Sequence, residues 1–185
     1  MPVDLAQFEN SDYKPGGRIK RALWFVFNVA LIQNRLNPSS AIKRGVLRLF
    51  GAKIGTGVVI KPGVNIKYPW FLTVGDYTWI GENAWIDNLG QTNIGNHVCI
   101  SQGALLLCGN HDYKKTGFDL MVGEITLEDG VWIGAKSIVT GGVSCKSHAI
   151  LTAGSVTSHD LEPYVIYKGN PAAKLRERKM TDTPT

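Results

Sequence analysis

Apolar residues recur at every sixth position from Ile54 to Leu151. The series runs Ile54, Ile60, Ile66; then Val74, Ile80, Ile86; then Ile94, Ile100, Leu106; then Leu127, Ile133, Val139, Cys145, Leu151. Glycine often follows directly, as in Ile54-Gly55, Val74-Gly75 and Ile133-Gly134. Four residues after most anchors stands a small or β-branched side chain, for example Val58, Thr78, Ala104 and Ser137. A hexapeptide period of this kind predicts a parallel β-helix solenoid, in which each repeat supplies one short strand and one corner.

The interruptions carry further information. Within each group of three the anchors step by six, but between groups they step from 66 to 74, 86 to 94 and 106 to 127. Each interruption follows a third hexapeptide, so a three-sided coil places all of them at one corner. No insertion interrupts 127 to 151. Residues one uninterrupted coil apart, such as Ala135 and Ala153, are expected to stack at the ~4.8 Å strand spacing. The repeat divides the chain into an N-terminal arm and helical segment (1–50), the solenoid with its inserted loop at 107–126 (51–158), and a C-terminal cap and tail (159–185). Helices are expected at about 17–35 and from a Ser39 or Ser40 N-cap to about Phe50, with a short C-terminal helix at about 172–179. These flanking pieces would cover the open ends of the solenoid.

Composition fits one globular domain, with 44% hydrophobic and 19% charged residues. Cys99, Cys108 and Cys145 form no CxxC pair and read as reduced thiols in a cytosolic protein. No secretory signal is expected, because the first residues carry Asp4 and Glu9 rather than a basic stretch. The apolar run from Ala22 to Ile32 is too short to span a bilayer. Charge is uneven: 14–53 holds nine basic residues and no acidic one. Beside Leu23-Trp24-Phe25-Val26-Phe27, that charge suits either peripheral contact with an anionic membrane or a helix packed on the solenoid with its cations in water. No nucleic-acid-binding motif accompanies it, and no nucleic-acid partner is expected.

Several motifs occur in order: the Ile-Gly hexapeptides, Trp132-Ile133-Gly134-Ala135, Ala153-Gly154-Ser155-Val156 and Lys168-Gly169-Asn170-Pro171-Ala172. With these, the chain resembles the hexapeptide-repeat acyltransferases. Trp79 to Asn88, Cys99 to Ala104 and His111-Asp112-Tyr113 resemble the colanic acid biosynthesis acetyltransferase group. The resemblance covers about 50–178. It implies an all-β fold, a left-handed parallel β-helix, assembled as a homotrimer with sites between subunits. It also implies an acetyl-CoA-dependent O-acetyltransferase that modifies a sugar hydroxyl in exopolysaccharide synthesis. The thiols and the absent secretory signal lead to an expected cytoplasmic location, and the basic, aromatic N-terminal segment to one at the inner face of the membrane.

Acetyl transfer needs a base, donors for a tetrahedral oxyanion, and a site that holds both substrates. His111 lies in the one long insertion, and an imidazole suits proton transfer near neutral pH. The resemblance makes it the catalytic base. The resemblance implies that Asp87, at the insertion corner, binds the acceptor, with Asn88 as a weaker companion. Asp112 is a candidate to orient His111. By the same resemblance Ala135, Gly141, Gly142, Ala153, Ser158 and Arg176 contact the cofactor, and Lys168, Lys174 and Arg176 face its phosphates. His159 matches a position beside that cofactor. Ala135 replaces a serine found in several sugar acetyltransferases, and Ala173 replaces a basic residue of some relatives. His97 and His148 are expected on the surface, and Trp132 in packing.

Other readings stay open. A metalloenzyme resembling γ-class carbonic anhydrase needs three histidines around zinc, yet Thr116 stands five residues after His111, and no metal is expected. A non-catalytic trimeric assembly module would bind no acetyl-CoA. An acetyltransferase for another small acceptor, such as an amino sugar, serine or a xenobiotic, would use the same fold.

Overall fold

A computed structural model describes residues 2–181. The solenoid expectation holds: short strands alternate with corners and stack into three parallel sheets. Sheet A contains Lys53–Ile54, Leu72–Val74, Thr92–Ile94, Ile125–Leu127 and Ser144–Cys145. Sheet B contains Val59–Ile60, Trp79–Ile80, Cys99–Ile100, Trp132–Ile133 and Ile150–Leu151. Sheet C contains Asn65–Ile66, Trp85–Asp87, Leu105–Leu107, Ile138–Thr140 and Val156–Thr157. Register is coil on coil, with Ile60 opposite Ile80, Ile80 opposite Ile100 and Ile133 opposite Leu151. The anchors are therefore three vertical ladders of buried side chains. All three interruptions leave between sheet C and sheet A.

Corners are held by a second ladder. The Asp76 carboxylate accepts from the Thr56 N–H at 2.6 Å, Asn96 Oδ1 from the Asp76 N–H at 2.8 Å, and the Asp129 carboxylate from the Asn96 N–H at 2.8 Å. His97 and His148 also sit at corners, in the left-handed backbone region. Their rings stack on Tyr77 and Tyr164, with centroids 5.4 and 4.7 Å apart.

The N-terminal helices are Arg18–Phe27, continued by a π-helical turn at Asn28–Ile32, and Ser40–Leu49, capped by Ser39. They close the lower end of the solenoid by a specific chemistry. Alternate carbonyls of the first coil point away from the second coil and have no strand partner. Arg48 donates to the Ile54 carbonyl at 2.7 Å, and Arg44 to the Val58 carbonyl at 2.6 Å. Lys43 donates to the Lys61 carbonyl at 2.8 Å, and the Trp24 indole to the Ile66 carbonyl at 3.0 Å. Ser40 bonds both main-chain groups of Ile60. The expectation of cations held in water is corrected for Lys43, which is fully buried; Arg44 is partly exposed and Arg48 exposed, though both also donate to the sheet edge.

The upper end departs from expectation. The chain expected to form a short helix at about 172–179 is instead a strand, Ala172–Glu177, antiparallel to Val165–Gly169, which itself continues sheet B. Gly169 has φ +105°, a conformation that admits a reversal through Asn170-Pro171. The free edge of Val165–Gly169 then offers unpaired main-chain groups, and pairing with them outweighs the helical propensity of Ala-Ala-Lys-Leu-Arg-Glu. The tail at 182–185 lies outside the described residues.

Lys43→Met keeps the side-chain volume but removes the donor to the edge carbonyls. Urea unfolding should show a loss of about 1–3 kcal/mol. Burial pushes the Lys43 ammonium below its ordinary value. The unfolded chain therefore holds this proton over a pH window in which the native state has lost it. Stability contributed by this group rises with pH across that window, towards the ordinary lysine range. The wild-type advantage over Lys43→Met should widen as pH rises there; a flat difference would show that Lys43 is not desolvated.

Candidate active site

The long insertion is a β-hairpin, Gly109–His111 paired with Leu120–Val122. Its base is fixed by close main-chain approach. The Gly123 N–H donates to the Cys108 carbonyl at 2.9 Å, and a Cβ on Gly123 would collide with the backbone of Gly141 and Gly142. A Cβ on Gly109 would meet the Leu89 side chain at 2.7 Å. These glycines let the hairpin leave the corner against the coil above it.

His111 is half-buried at the end of the first hairpin strand. Its ring stacks on Phe118, with centroids 4.4 Å apart and planes 10° apart. Phe8, from the N-terminal arm, flanks it at 6.0 Å. Nδ1 of His111 lies 2.8 Å from the Phe118 carbonyl oxygen. A carbonyl only accepts, so Nδ1 carries the proton and Nε2 of the neutral ring keeps its lone pair. Asp112 does not orient the ring. Its carboxylate accepts from the Lys114 N–H at 3.1 Å, and its own N–H bonds the Asp119 carbonyl. The orienting group is main chain, which a residue-type search passes over.

Asp87 ends its sheet C strand opposite Leu107, at the root of the hairpin. Its carboxyl is raised above the usual range by burial, with Lys67 opposing that shift. The arm brings Tyr13 alongside: its hydroxyl donates to the Leu89 carbonyl at 2.7 Å. Burial, then the neighbouring Tyr68, Asp87 and Cys108, raise the Tyr13 hydroxyl well above its ordinary value. The arm is also tied to the hairpin tip by the Asp4 N–H, which donates to the Thr116 carbonyl at 2.9 Å. Between arm and hairpin runs a polar cleft of about 330 Å³, lined by residues that include Asp12, Tyr13, Lys115 and Leu120. The repeat gives no signal for this arm, so Phe8 and Tyr13 were invisible to it.

Asn88 requires a correction. It is fully buried, and its amide accepts from the Tyr68 N–H at 3.0 Å and donates to the Tyr68 carbonyl at 2.6 Å. Both polar ends are committed to the coil below, so Asn88 supports the corner that carries Asp87 and does not face an acceptor.

The expected cofactor residues separate into three groups. Gly141, Gly142 and Ser158 lie on the hairpin's own corner, one and two coils above it, between sheets C and A. Gly142 and Ser158 are exposed, while the Gly142 N–H already bonds the Glu124 carbonyl. Ala135 and Ala153 stack one above the other at the opposite edge of sheet C, where the Gly154 N–H meets the Ala135 carbonyl at 2.8 Å. Lys168, Lys174 and Arg176 stand on the terminal hairpin. Lys174 is paired with Glu162 at 2.8 Å, leaving Lys168 and Arg176 as the cations there without an ion pair among the described residues. His159 sits beside Tyr167, with ring centroids 6.2 Å apart. Among the described residues no group of three or more His, Cys, Asp and Glu side chains is placed to hold a metal ion.

No family model matches the chain. It is 35% identical over 180 residues to WcaF of Escherichia coli K12, assigned as a colanic acid biosynthesis acetyltransferase; the match covers 97% of this chain and 99% of the relative. It is 27% identical to the galactoside O-acetyltransferase of Escherichia coli, over 78% of this chain and 73% of that one. Among solved structures, a hexapeptide-repeat acetyltransferase of Vibrio cholerae in complex with acetyl-CoA superposes with a TM-score of 0.79 at 24% identity, covering 88% of each chain. A galactoside acetyltransferase in complex with coenzyme A superposes at 0.77 with 23% identity, covering 87% of this chain and 82% of that one. The superpositions establish a common fold.

For the neutral imidazole of His111 the hairpin geometry predicts the Nδ1–H tautomer, readable from its ¹⁵N chemical shifts. An Nε2–H tautomer would contradict the Phe118 contact. Gly123→Ala should cost about 1–3 kcal/mol, because the added carbon meets rigid main chain.

Proposed function

The chain belongs to the hexapeptide-repeat acetyltransferase family that includes WcaF, and we propose that it transfers acetyl from acetyl-CoA to a sugar hydroxyl with His111 as general base. The observation that carries this is the Nδ1 contact to the Phe118 carbonyl, which leaves Nε2 free to accept a proton. In this reading Nε2 takes the hydroxyl proton as the acceptor oxygen bonds to the thioester carbonyl carbon. On collapse the carbon–sulfur bond breaks, and His111 returns the proton to the departing thiolate. The product is an acetyl ester and free coenzyme A.

Asp87 accepts hydrogen bonds from the acceptor's hydroxyls. An acid that is partly desolvated before substrate arrives is prepared for such donors. Ala135, Gly141, Ala153 and Ser158 border the pantetheine arm along sheet C, where small side chains permit close approach. Ala135 has no hydroxyl, so a main-chain N–H stabilises the oxyanion. Lys168 and Arg176 meet the nucleotide phosphates, and Lys174 joins them only by leaving Glu162. The acceptor belongs to exopolysaccharide assembly, a reading supported by the WcaF likeness over nearly the whole chain.

The protein acts as a homotrimer. Outward residues of sheet A are polar (Lys53, Thr73, Asn93, Thr126 and Ser144), whereas those of sheets B and C are largely apolar. Trp79, Cys99, Trp132 and Ile150 form one outer ladder, and Trp85, Leu105, Ile138 and Val156 the other. Trp79 is 59% exposed in the single chain and Trp132 46%. Two different apolar faces meeting at one corner suit a closed ring in which sheet B of one subunit packs on sheet C of the next. The hairpin of one subunit then reaches the coils of its neighbour and excludes water.

His111→Ala should lower turnover about 10²–10⁴-fold in a thiol-release assay with acetyl-CoA and a sugar panel, with unfolding and assembly unchanged. Near wild-type turnover would refute the base assignment. Asp87→Asn should lower kcat/KM for the acceptor about 10–100-fold and leave acetyl-CoA binding intact. Trp79→Glu should yield monomers in sedimentation and lose turnover with them.

A further inference from the structure

We propose that the outer faces of the two N-terminal helices form a docking surface for an anionic lipid bilayer, so that the solenoid stands on the membrane by its lower end. In the helix Arg18–Phe27 the first turn carries Arg18, Lys20 and Arg21, and the six residues after it, Ala22 to Phe27, are all apolar. Its inner side carries Trp24, buried, and Phe27, packed against the core. Its outer side leaves apolar side chains largely in solvent: Ile19 is 78% exposed, Phe25 68% and Val26 60%. An apolar run covered on one side only leaves apolar surface in water. The second helix repeats the arrangement. Its inner side supplies Lys43 and Leu47 to the coil, while Leu49 on its outer side is 76% exposed. Leu36, in the connection between the helices, is 90% exposed. Both helices pack on the same open edge of the first coil, so their outer sides point away from the prism along its axis.

Charge selects the occupant. No acidic residue occurs between Asp12 and Asp76. Three cations of that stretch are spent on the edge carbonyls and Arg35 donates to Asn83, but Arg18 is exposed next to Ile19 in the helix and Lys53 is exposed on the first, lowest coil. Apolar side chains set among cations and no acids match an interface of anionic headgroups over acyl chains. A second copy of this chain would bring the same cations against themselves. No helix among the described residues is long and apolar enough to cross a membrane, so the contact lies on the surface. The surface is separate from the acetyl-transfer site; only one consequence rests on the proposed trimer. Parallel subunits would present three such faces in one plane, which multiplies weak individual contacts.

The test is co-sedimentation of the full chain with vesicles of phosphatidylcholine containing 30% phosphatidylglycerol (a composition chosen as about physiological in charge), against phosphatidylcholine alone. Binding to the anionic vesicles that weakens with added salt is expected. The exposed triple variant Ile19→Asn, Phe25→Asn, Leu49→Asn should lower partitioning by about tenfold or more, with thermal unfolding and turnover on a soluble sugar unchanged. The pair Arg18→Gln, Lys53→Gln tests the charge without touching apolar packing, and should weaken binding to the anionic vesicles alone. Absence of wild-type binding, or equal binding by both variants, would overturn the proposal. So would a triple variant that changes the assembly size in solution, since that assigns the face to another copy. Vesicle binding needs no catalysis, so failure of the acetyl-transfer reading would leave this result standing.

Discussion

Every coil of the solenoid depends on the coil beneath it for half of its main-chain hydrogen bonds. The rule that buried N–H and C=O groups must be paired is satisfied internally wherever two coils touch. It fails at the first coil, which has no neighbour below. The N-terminal helices meet that need with side chains rather than a strand: Arg44, Arg48, Lys43 and Trp24 each reach an edge carbonyl. At the opposite end the terminal hairpin extends sheet B with real strands. An open sheet edge is also a template for unwanted pairing, so the same contacts protect against edge-to-edge association.

This dependence explains where variation is tolerated. A residue added within a strand would shift every inward ladder above it. A residue added at a corner shifts nothing, provided the next strand resumes its register. The chain places its three interruptions at one corner, and the longest carries His111 outward on a hairpin. The rigid coils fix the root of that hairpin through Cys108, Gly123 and Gly141, while the Phe118 carbonyl fixes the imidazole at its tip. Position comes from the repeat, and proton placement comes from the exception to it.

The period made the sheets, the shared corner and the place of His111 legible, because each is a consequence of counting. What it could not reveal was contact between parts that lie outside the count. The arm reaches the site through Phe8 and Tyr13, a contact between segments about 76 to 103 residues apart with no periodic mark. Asn88 has the composition of a ligand-binding side chain, but its fate depends on the main chain of Tyr68 one coil below. The strand Ala172–Glu177 has helix-forming residues and became a strand because an unpaired edge lay beside it. In all three, local preference was overruled by a polar group elsewhere that needed a partner.

The basic N-terminal segment shows how the same constraint alters a reading of charge. Counted along the chain, its cations suggest an electrostatic surface. Counted in the fold, Lys43, Arg44 and Arg48 are donors to edge carbonyl oxygens, and their number says little about external partners. The more telling feature is what remains after that subtraction. Ile19, Phe25 and Leu49 point away from a sheet edge that is already closed, so the fold has no further use for their apolar surface. Their exposure is a cost that folding alone does not offset. The few cations left beside them, in a stretch without acids, narrow the compensating contact to an apolar medium with a negative boundary.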